Sequence, residues 1–545
     1  MVLKANNSDN NKFSAYAGWF VLAFVIAVVA YIRIRLLGVP LERDEGEFAY
    51  IADLVMKGGL PYKDVYSMKL PGIFYAYALI LSLFGHSHTS IHFALLMLNI
   101  ITTLLVYFLG KKLFDHWTGI IAASCYAIMS LSPSVYGISA HATNFVIMPA
   151  LGGILVMLYG IGPVRGKLIF LSGLLIGVSI LMKQHGSMFA AYGMVYLAYS
   201  FYKNRISWPL MTGISGLFLA GVFLPYGLVS MYFYSSGVFE DFWFYTYSYP
   251  IKYITMLPIT IGLNNLRNNL AEVINSGIVI WLFAFIGLLV LMLSKKMRDK
   301  RFQVIAFLVL SFLAVCPGLY FREHYFILLL PAVALFAGIG VTTTLIKLTQ
   351  NLKTVSKGLV YTGLLASVLL VPLYLKKDYF FYMTPFQIGR FIYGAQPFGE
   401  SLEVAKYIEQ HSKESDRIMI LGSEPQIYFY SKRRAATGFI YMYPLLEPHK
   451  YAESMFKKMF YEINALKPKF IVLVNVRISW ITYPYGSFST YLKQIVREQI
   501  QLDDYRKVGV IDIISEDETR YKWGEDSLTY APYSEDWLVV YQRND

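Results

Sequence analysis

Apolar residues in this chain fall into long runs, separated by short segments that carry most of the charge. A run of about 20 apolar residues is long enough to cross a lipid bilayer as an α-helix. We therefore predict about eleven membrane-spanning helices before residue 376. They fall at roughly 17–37, 89–110, 117–132, 144–162, 167–182, 187–202, 208–230, 274–294, 302–320, 325–346 and 359–375.

The pattern changes at about residue 376, beyond which no apolar run is long enough to span a bilayer. Short apolar stretches alternate there with amphipathic ones, as strands alternate with helices. The predicted strands are "RIMIL", "KFIVLVNV", "VGVIDII" and "WLVVYQ", and the predicted helices are "ESLEVAKYIEQHS", "AESMFKKMFYEINAL" and "STYLKQIVREQI". We predict an α/β domain in residues 376–545, following a transmembrane domain in residues 1–375.

Composition and charge agree with this division of the chain. Hydrophobic residues make up 56% of the 545, charged residues 15%, and the mean hydropathy is +0.48, which excludes a soluble globular protein. If the spans alternate, one side of the membrane receives 16 Lys and Arg and 3 acidic residues. That side is the cytoplasm by the positive-inside rule, which places the amino terminus inside and the α/β domain outside. The net charge of +13 thus reflects orientation, and no nucleic-acid partner is expected.

The first outer loop, between the first two predicted spans, is much longer than a simple connection requires. Its segment "DEGEFAYIADLVMKGG" predicts an amphipathic helix that ends at Gly58 and Gly59. The segment "KLPGIFYAYALILSLFG" predicts a second, more apolar helix that starts at Pro71. We expect both helices to lie along the outer membrane interface, with Asp44 and Lys69 near one another.

Four carboxylates and one arginine occupy six positions at the start of this loop: Glu42, Arg43, Asp44, Glu45 and Glu47. One interpretation is structural, because an acidic residue often caps a helix and the next acids favour the positive end of its dipole. In that case Asp44 is an ordinary N-cap. The other interpretation is a functional site at the membrane surface.

Three motifs resemble the GT-C superfamily of glycosyltransferases, which use polyprenyl-phosphate-linked sugars. They are "RDEGEFAY" after the first span, "PYKDVYSMKLPG" about twenty residues later, and "FREHYFILLLP" before a late span. The chain looks most like the protein O-mannosyltransferases and the lipid A aminoarabinose transferases. The resemblance covers roughly residues 15–375 and is specific for the superfamily rather than for a substrate.

The resemblance implies an inverting transfer of a hexosyl or pentosyl group to an acceptor hydroxyl at the outer face of the membrane. Asp44 opens the acidic motif and is the implied catalytic base, which accepts the proton of the attacking hydroxyl. The phosphate that leaves is a stable anion, so it needs fixed cations rather than a general acid. The candidates for binding the donor phosphate are Lys69, Arg33, Arg35, Lys183, Arg322 and Arg390.

The sequence supports some of these basic residues as phosphate ligands more strongly than others. Lys69 matches the "KLPG" lysine that the family associates with the lipid phosphate, and its alternative is a lysine that snorkels beneath the headgroups. Arg33 and Arg35 lie in the end of the first span, against the positive-inside trend. A charge there requires a partner, which would be a lipid phosphate or ordinary anionic headgroups.

Five further residues are candidates for acceptor binding or for support of the site: Glu45, Glu47, Glu240, Asp241 and His324. Glu240 and Asp241 lie in an outer loop rich in aromatic residues, which favours sugar stacking as well as ordinary interfacial anchoring. His324 lies at an outer span end, as Lys183 and Arg322 do. A lone histidine of this kind is more often structural than catalytic.

We expect neither a metal nor another cofactor. Carboxylates suit hard cations, and some GT-C branches use a divalent cation, which is the alternative here. Glu45, however, falls on a different helix face from Asp44 and Glu47, and the mannosyltransferase branch that the chain resembles uses no metal. No Gly-rich phosphate loop follows a strand and opens a helix. The sugar donor is therefore expected to be a lipid rather than a nucleotide sugar.

The main alternative function is a transporter or flippase of lipid-linked sugars. Such a protein predicts internal repeats and ionisable residues near the midplane of the bilayer, whereas this chain has its charges at the outer interface. A polymerase or ligase of O-antigen would place its main loop late in the chain. The expected partners are the donor lipid, a glycan, lipid or protein acceptor, and the bilayer, and the expected location is a bacterial inner membrane.

Overall fold

The computed structural model describes residues 2–162, 164–447, 449–480 and 504–544, and the chain folds into two compact units. The first unit consists of Met1–Leu36, His92–Ser236 and Tyr253–Tyr382, and the second of Leu37–Ile91, Gly237–Lys252 and Met383–Asp545. The boundary predicted at residue 375 lies close to the start of the last stretch. Two stretches of the predicted transmembrane domain nevertheless belong to the second unit.

The first unit has helices and no strand among its described residues. Its helices are Val2–Arg35, most of His88–Leu113, His116–Met129, Ala142–Gly160, Gly166–Met182, Ser187–Lys203, Trp208–Ser235, Ile259–Ser276, Ile278–Leu293, Arg298–Leu313, Leu330–Thr349 and Thr354–Leu375. Short 3-10 or π turns connect some of them, at Pro133–Val135, Gln184–Gly186, Lys295–Met297, Pro317–Leu319, Glu323–Leu328 and Asp378–Tyr382. The helix Tyr249–Ile254 begins in the second unit and ends in the first.

Six helices among the described residues are long and apolar enough to cross a membrane, which confirms the prediction of an integral membrane protein. They are Tyr16–Arg35, His88–Leu113, Ala142–Gly160, Trp208–Ser235, Leu330–Thr349 and Ser356–Leu375. The pair Ile259–Ser276 and Ile278–Leu293 is bent by 101° and makes a seventh if it is one broken span.

Four further predicted spans are helices that are too short to pass the same test of length. Each has 14 to 17 residues, which is below the roughly 20 that a bilayer requires of a straight helix. They are His116–Met129, Gly166–Met182, Ser187–Lys203 and Arg298–Leu313. The count of eleven spans therefore stays a prediction.

The second unit contains a mixed six-stranded sheet in the order β2-β1-β3-β6-β4-β5. The strands are β1 (Arg417–Leu421), β2 (Arg434–Ala435), β3 (Phe470–Asn475), β4 (Tyr505–Ile513), β5 (Thr519–Trp523) and β6 (Trp537–Arg543). β1 is parallel to β2 and β3, and Ile418 lies opposite Phe470, whereas the other neighbours are antiparallel. The apolar runs of β1 and β3 are largely buried, as expected of parallel strands that are covered on both faces.

Among the described residues, the helices of the second unit come from all three of its stretches of chain. They are Arg43–Met56, Gly72–Phe84, Phe239–Trp243, Pro385–Tyr393, Glu400–Gln410, Gln426–Ser431, Tyr443–Leu446, Ala452–Leu466 and Glu525–Thr529, with the turns Phe244–Ser248 and Arg477–Ser479. All four predicted strands of the tail and two of its three predicted helices are confirmed to within a few residues. The predicted helix "STYLKQIVREQI" lies outside the described residues. β2 and β5 were not predicted, because β2 has two residues and β5 is mostly polar.

The loop after the first predicted span forms the two predicted helices and packs onto the sheet-bearing part of the second unit. The helix Arg43–Met56, which we call the acidic helix, ends before Gly58, whose φ of +81° suits glycine. The helix Gly72–Phe84 begins after Pro71. The Ala435 N–H donates to the Tyr50 hydroxyl at 2.8 Å, and this hydrogen bond joins the acidic helix to β2.

Candidate active site

The acidic helix begins with a capping box that does not use Asp44. Glu42 is the N-cap, and its carboxylate accepts a hydrogen bond from the Glu45 N–H at 2.8 Å. The Glu45 carboxylate in turn accepts from the Glu42 N–H at 3.3 Å, so both residues satisfy backbone donors of the first turn. The interpretation of Asp44 as an ordinary N-cap is therefore wrong. Glu45 remains a predicted support residue of the site, and its place in the capping box is its observed structural role.

Arg43 and Gly46 fix the start of the acidic helix against the sheet-bearing part of the unit. The Arg43 guanidinium is buried, donates to the Ser423 carbonyl and forms a 2.6 Å ion pair with Glu424. Burial opposes the charge of Arg43, but Glu424 outweighs it and raises the pKa of the guanidinium. A Cβ on Gly46 would lie 2.6 Å from the backbone nitrogen of Gln426, so only glycine allows this approach.

Lys69 reaches the carboxylate of Asp44 from the segment between the two loop helices. Its Nζ lies 3.2 Å from Asp44 Oδ1, and both side chains are partly buried. The backbone of Lys69 is held by Tyr62, whose hydroxyl donates to the Lys69 carbonyl at 2.8 Å. The ammonium also lies 5.6 Å from the centre of the Phe48 ring, a cation–π distance. The expected proximity of Asp44 and Lys69 is observed, and Lys69 has a specific partner that snorkelling does not require.

A second acid, Glu47, lies one helical turn beyond Asp44 and is almost completely buried. The Ser67 hydroxyl donates to Glu47 Oε1 at 2.6 Å. Glu47 Oε2 makes no hydrogen bond among the described residues. Burial is the main reason why the pKa of Glu47 is raised to about 7, with Lys69 opposing the rise and Asp44 adding to it. This carboxyl can therefore hold or release a proton near neutral pH.

We expect Glu47→Gln to remove a pH dependence of stability. A folded pKa of about 7, above the ordinary 4.5, means that stability falls as the pH rises from about 4.5 through 7. At pH 8 the amide avoids a buried charge, so the variant should be more stable by up to about 3 kcal/mol. Melting temperatures in detergent at pH 5 and pH 8 measure this difference. The control is Glu453→Gln, at a fully exposed acid, and equal pH slopes for Glu47→Gln and the wild type would contradict the expectation.

Arg33 and Arg35, in the first unit, contact backbone carbonyls. Arg33 is buried and donates to the carbonyls of Gly137 at 2.8 Å and Ser130 at 3.1 Å. Arg35 donates to the carbonyls of Tyr379 and Phe380 at 3.0 and 2.9 Å. Carbonyls supply the partner that a charge near a span end requires. The assignment of both arginines to the donor phosphate stays a prediction.

The first unit also brings Lys183 and His324 together, as their predicted positions at outer span ends suggested. Lys183 Nζ lies 3.5 Å from His324 Nε2 and 4.2 Å from the centre of the Tyr325 ring. The His141 ring stacks on that of His324, with centroids 4.1 Å apart. Arg322 lies against other residues, since it donates to the Tyr253 hydroxyl at 3.4 Å. The cluster of Lys183, His141 and His324 can present several N–H donors to an anion.

The remaining predicted residues lie in the second unit. Glu240 and Asp241 are exposed in the first turn of Phe239–Trp243, at the aromatic-rich loop. Arg390 is buried and paired with Glu400, which is also buried. Binding a lipid phosphate would require this buried pair to break at a cost of several kcal/mol, about 3–5 in typical cases, so a structural role is favoured for Arg390.

Three residues at or near these groups were not singled out from the sequence: Ser67, His141 and Tyr441. Tyr441 is the most distant from Asp44 along the chain, yet its hydroxyl donates to Asp44 Oδ1 at 3.0 Å. Ser67 lies within the quoted motif "PYKDVYSMKLPG", so its position two residues before Lys69 was the only local signal. His141 opens the helix Ala142–Gly160 and could have been noticed as a second histidine at a span end.

Comparison with protein families identifies residues 68–226 as a match to the dolichyl-phosphate-mannose-protein mannosyltransferase family. The matched range begins one residue before Lys69. A search of curated protein sequences found no significant match. The family match agrees with the resemblance to GT-C glycosyltransferases that the sequence motifs indicated.

Solved structures with the same fold extend the comparison to nearly the whole chain. ArnT from Cupriavidus metallidurans, bound to undecaprenyl phosphate, matches with a TM-score of 0.59 and 15% identity, covering 96% of this chain and 98% of that one. The apo oligosaccharyltransferase of Archaeoglobus fulgidus matches with a TM-score of 0.55 and 11% identity over 94% and 75% of the chains. The archaeal oligosaccharyltransferase AglB, in complex with an inhibitory peptide and a dolichol-phosphate, gives 0.52 and 11% over 96% and 75%. The predicted resemblance to the GT-C superfamily is confirmed, and the fold is ArnT-like.

Proposed function

We propose that this chain is a membrane glycosyltransferase that moves a hexosyl or pentosyl group from a polyprenyl-phosphate-linked donor to an acceptor hydroxyl. The observation that carries the proposal is the ion pair of Asp44 and Lys69, which joins two separate motifs of the resemblance. The family match supports a lipid-phosphate donor. So do the structures of the same fold that were solved with undecaprenyl phosphate and with a dolichol-phosphate.

The reaction follows from the chemistry of these two side chains. The acceptor hydroxyl loses its proton to the Asp44 carboxylate while its oxygen attacks the anomeric carbon of the sugar. The bond between that carbon and the phosphate oxygen breaks, and the polyprenyl phosphate leaves with the electron pair. Attack from the side opposite the leaving phosphate inverts the configuration of the sugar. A lipid phosphate is stable as an anion, so no general acid is required on that side.

Lys69 serves both partners of the reaction. Its pairing with Asp44 favours the ionised carboxylate, which is the form that can accept a proton. An ammonium carries three N–H donors, so it can contact a carboxylate and a phosphate oxygen together. Lys69 thereby places the positive charge where negative charge develops on the leaving phosphate.

The proposal includes finer features of the protein. The transfer takes place at the outer face of a bacterial inner membrane, in a chain with eleven spans, a cytoplasmic amino terminus and an extracytoplasmic α/β domain. The acceptor is a glycan, a lipid or a protein hydroxyl. The residues assigned to the reaction require no metal or other cofactor, and nucleic acid has no part in it.

We expect Lys69→Ala to weaken binding of the donor lipid. The loss of one charge-assisted contact to phosphate should lower the affinity for undecaprenyl phosphate by roughly 10- to 100-fold. Lys69→Arg keeps the charge and should recover part of the loss. Titration of the purified protein in nanodiscs, followed by native mass spectrometry, measures the affinity.

Lys57→Ala is the matched control, because Lys57 is an exposed lysine that directly follows the same acidic helix and pairs with the buried Asp53 at 3.0 Å. This variant should bind undecaprenyl phosphate like the wild type. If Lys69→Ala also bound with wild-type affinity, Lys69 would hold Asp44 alone and its role toward the donor phosphate would be wrong.

A further inference from the structure

The carboxylate of Asp44 accepts a second hydrogen bond, from a residue that the family motifs do not contain. The Tyr441 hydroxyl donates to Asp44 Oδ1 at 3.0 Å, and Lys69 Nζ lies 3.2 Å from the same oxygen. We propose that Tyr441 is a positioning residue for the catalytic carboxylate, through which the α/β domain completes the active site. This inference rests on the proposed function, in which Asp44 is the base.

A shared anchor fixes Tyr441 relative to Asp44. The residue before Asp44 is Arg43, which donates to the carbonyl of Ser423. The residue after Tyr441 is Met442, whose N–H donates to the Ser423 hydroxyl at 3.0 Å. Ser423, directly after β1 and Gly422, therefore holds both neighbours of the hydrogen-bonded pair. Its own N–H donates to the Ser479 hydroxyl at 2.8 Å, and this bond secures the anchor to the segment after β3.

The electrostatic setting makes Tyr441 a donor rather than an acceptor. Burial, followed by the negative charges of Asp44, Glu47 and Glu42, raises the pKa of Tyr441 well above that of an ordinary phenol, although Arg43 opposes the rise. The phenol therefore keeps its proton. An ionised carboxylate accepts hydrogen bonds only, so the hydroxyl must donate to it.

A hydrogen bond of this kind does two things for a general base. It favours the ionised form of Asp44, and it limits rotation of the carboxylate about its Cβ–Cγ bond. A base must lie within hydrogen-bond reach of the proton that it removes, so a carboxylate held in one orientation acts more often. With Lys69 and Tyr441 on one oxygen, the loop and the α/β domain fix the carboxylate from two sides.

The alternative is a hydrogen bond that merely joins the loop to the α/β domain. The chain offers a matched case in Tyr50, on the same acidic helix, whose hydroxyl accepts from the Ala435 N–H. Tyr50 joins the same two parts without contacting Asp44 through this bond. If both hydrogen bonds only hold the loop on the α/β domain, Tyr441→Phe and Tyr50→Phe should have similar effects on turnover.

The test compares these two variants with the wild type. In membranes that contain the protein, mass spectrometry follows the consumption of polyprenyl-phosphate-linked sugar and the release of polyprenyl phosphate. We expect Tyr441→Phe to lower the turnover by roughly 10- to 100-fold, the range for one hydrogen bond to an ionised group. Its affinity for undecaprenyl phosphate should stay unchanged. Tyr50→Phe should keep near wild-type turnover.

The pH profile separates positioning from simple loss of protein. In the second unit the charged or titratable groups that face Asp44 include Lys69, Tyr441, Tyr77, Glu42 and Glu47. Without the Tyr441 donor the ionised carboxylate is less favoured, so the acid limb of the rate should move to higher pH. Wild-type turnover and an unmoved acid limb in Tyr441→Phe would overturn the inference and leave the proposed function intact. Equal losses in both variants would also overturn it, whereas a wild type that consumes no donor lipid would instead overturn the proposed function.

Discussion

Asp44→Asn should abolish sugar transfer while the protein still folds and still binds its donor lipid. The amide has nearly the same shape as the carboxylate, and its oxygen can still accept from the Tyr441 hydroxyl. It cannot take up the proton of the acceptor hydroxyl. Loss of a general base typically lowers the rate by about 10²- to 10⁴-fold. We therefore expect a residual turnover of at most about 1% of the wild type.

Asp44→Asn should also have a specific effect on the donor lipid, which distinguishes loss of the base from loss of binding. Lys69 remains in place in Asp44→Asn, so the variant should retain the polyprenyl-phosphate-linked sugar that the wild type consumes. Mass spectrometry of lipids extracted from the purified variant measures this accumulation. The control is Asp53→Asn, later on the same acidic helix, where Asp53 pairs with Lys57 and His86. If Asp44→Asn kept most of its activity while Asp53→Asn behaved like the wild type, the base would be another residue.

Arg43→Met should produce the largest loss of stability among the variants considered. Arg43 and Glu424 form a buried ion pair, and the guanidinium also binds the carbonyl of Ser423. Removing one partner of such a pair leaves the other charge buried, which typically costs about 3–5 kcal/mol. The acidic helix would lose its attachment beside Asp44, so activity should fall along with the melting temperature.

A second substitution tests whether the buried charge that Glu424 would keep without Arg43 causes this loss of stability. In Arg43→Met with Glu424→Gln neither charge remains, and Gln426 already lies 2.7 Å from Glu424 as a hydrogen-bond donor. The double variant should recover a substantial part of the lost stability. Lys457→Met provides the contrast, because its pair with Glu453 is exposed and screened by solvent, so its loss should change the melting temperature little. If Arg43→Met unfolded at the wild-type temperature, the role of this pair in holding the helix would be refuted.

The sequence allowed the local elements of the second unit to be predicted well. Alternating apolar and amphipathic stretches predicted β1 at its observed bounds and the helix Ala452–Leu466, because each is short, strongly patterned and bounded by polar residues. Pro71 similarly marked the start of the helix Gly72–Phe84. The spans were harder to predict. The apolar run at His116–Met129, for example, has the composition of a span, but the helix that it forms has only 14 residues.

Of the candidate site, only the residues that lie in recognisable sequence motifs were predicted. Asp44 and Lys69 lie in motifs that the resemblance made recognisable, and their ion pair is present. The sequence could not decide whether Asp44 caps the helix, because any acid near the first turn can serve as the cap and only the geometry selects Glu42. Tyr441 could not be predicted at all. Its contact joins residues 397 positions apart, and nothing in the sequence near Tyr441 depends on Asp44.

Composition alone could not predict this long-range contact. Apolar content separates the spans from the tail, but it cannot show that the polar loop after the first span packs on that tail. Arg43, Tyr50 and Tyr441 make that connection. The loop that carries Asp44 and the α/β domain should therefore unfold together, as one cooperative unit.

The decisive measurement is native mass spectrometry of the purified protein. We expect the wild type to retain a polyprenyl phosphate or its sugar conjugate, or to bind one when the lipid is added. We also expect Lys69→Ala to retain less of the lipid and Asp44→Asn to retain the sugar conjugate. A preparation that holds no such lipid, even after undecaprenyl phosphate is added, would contradict transfer from a lipid-phosphate donor.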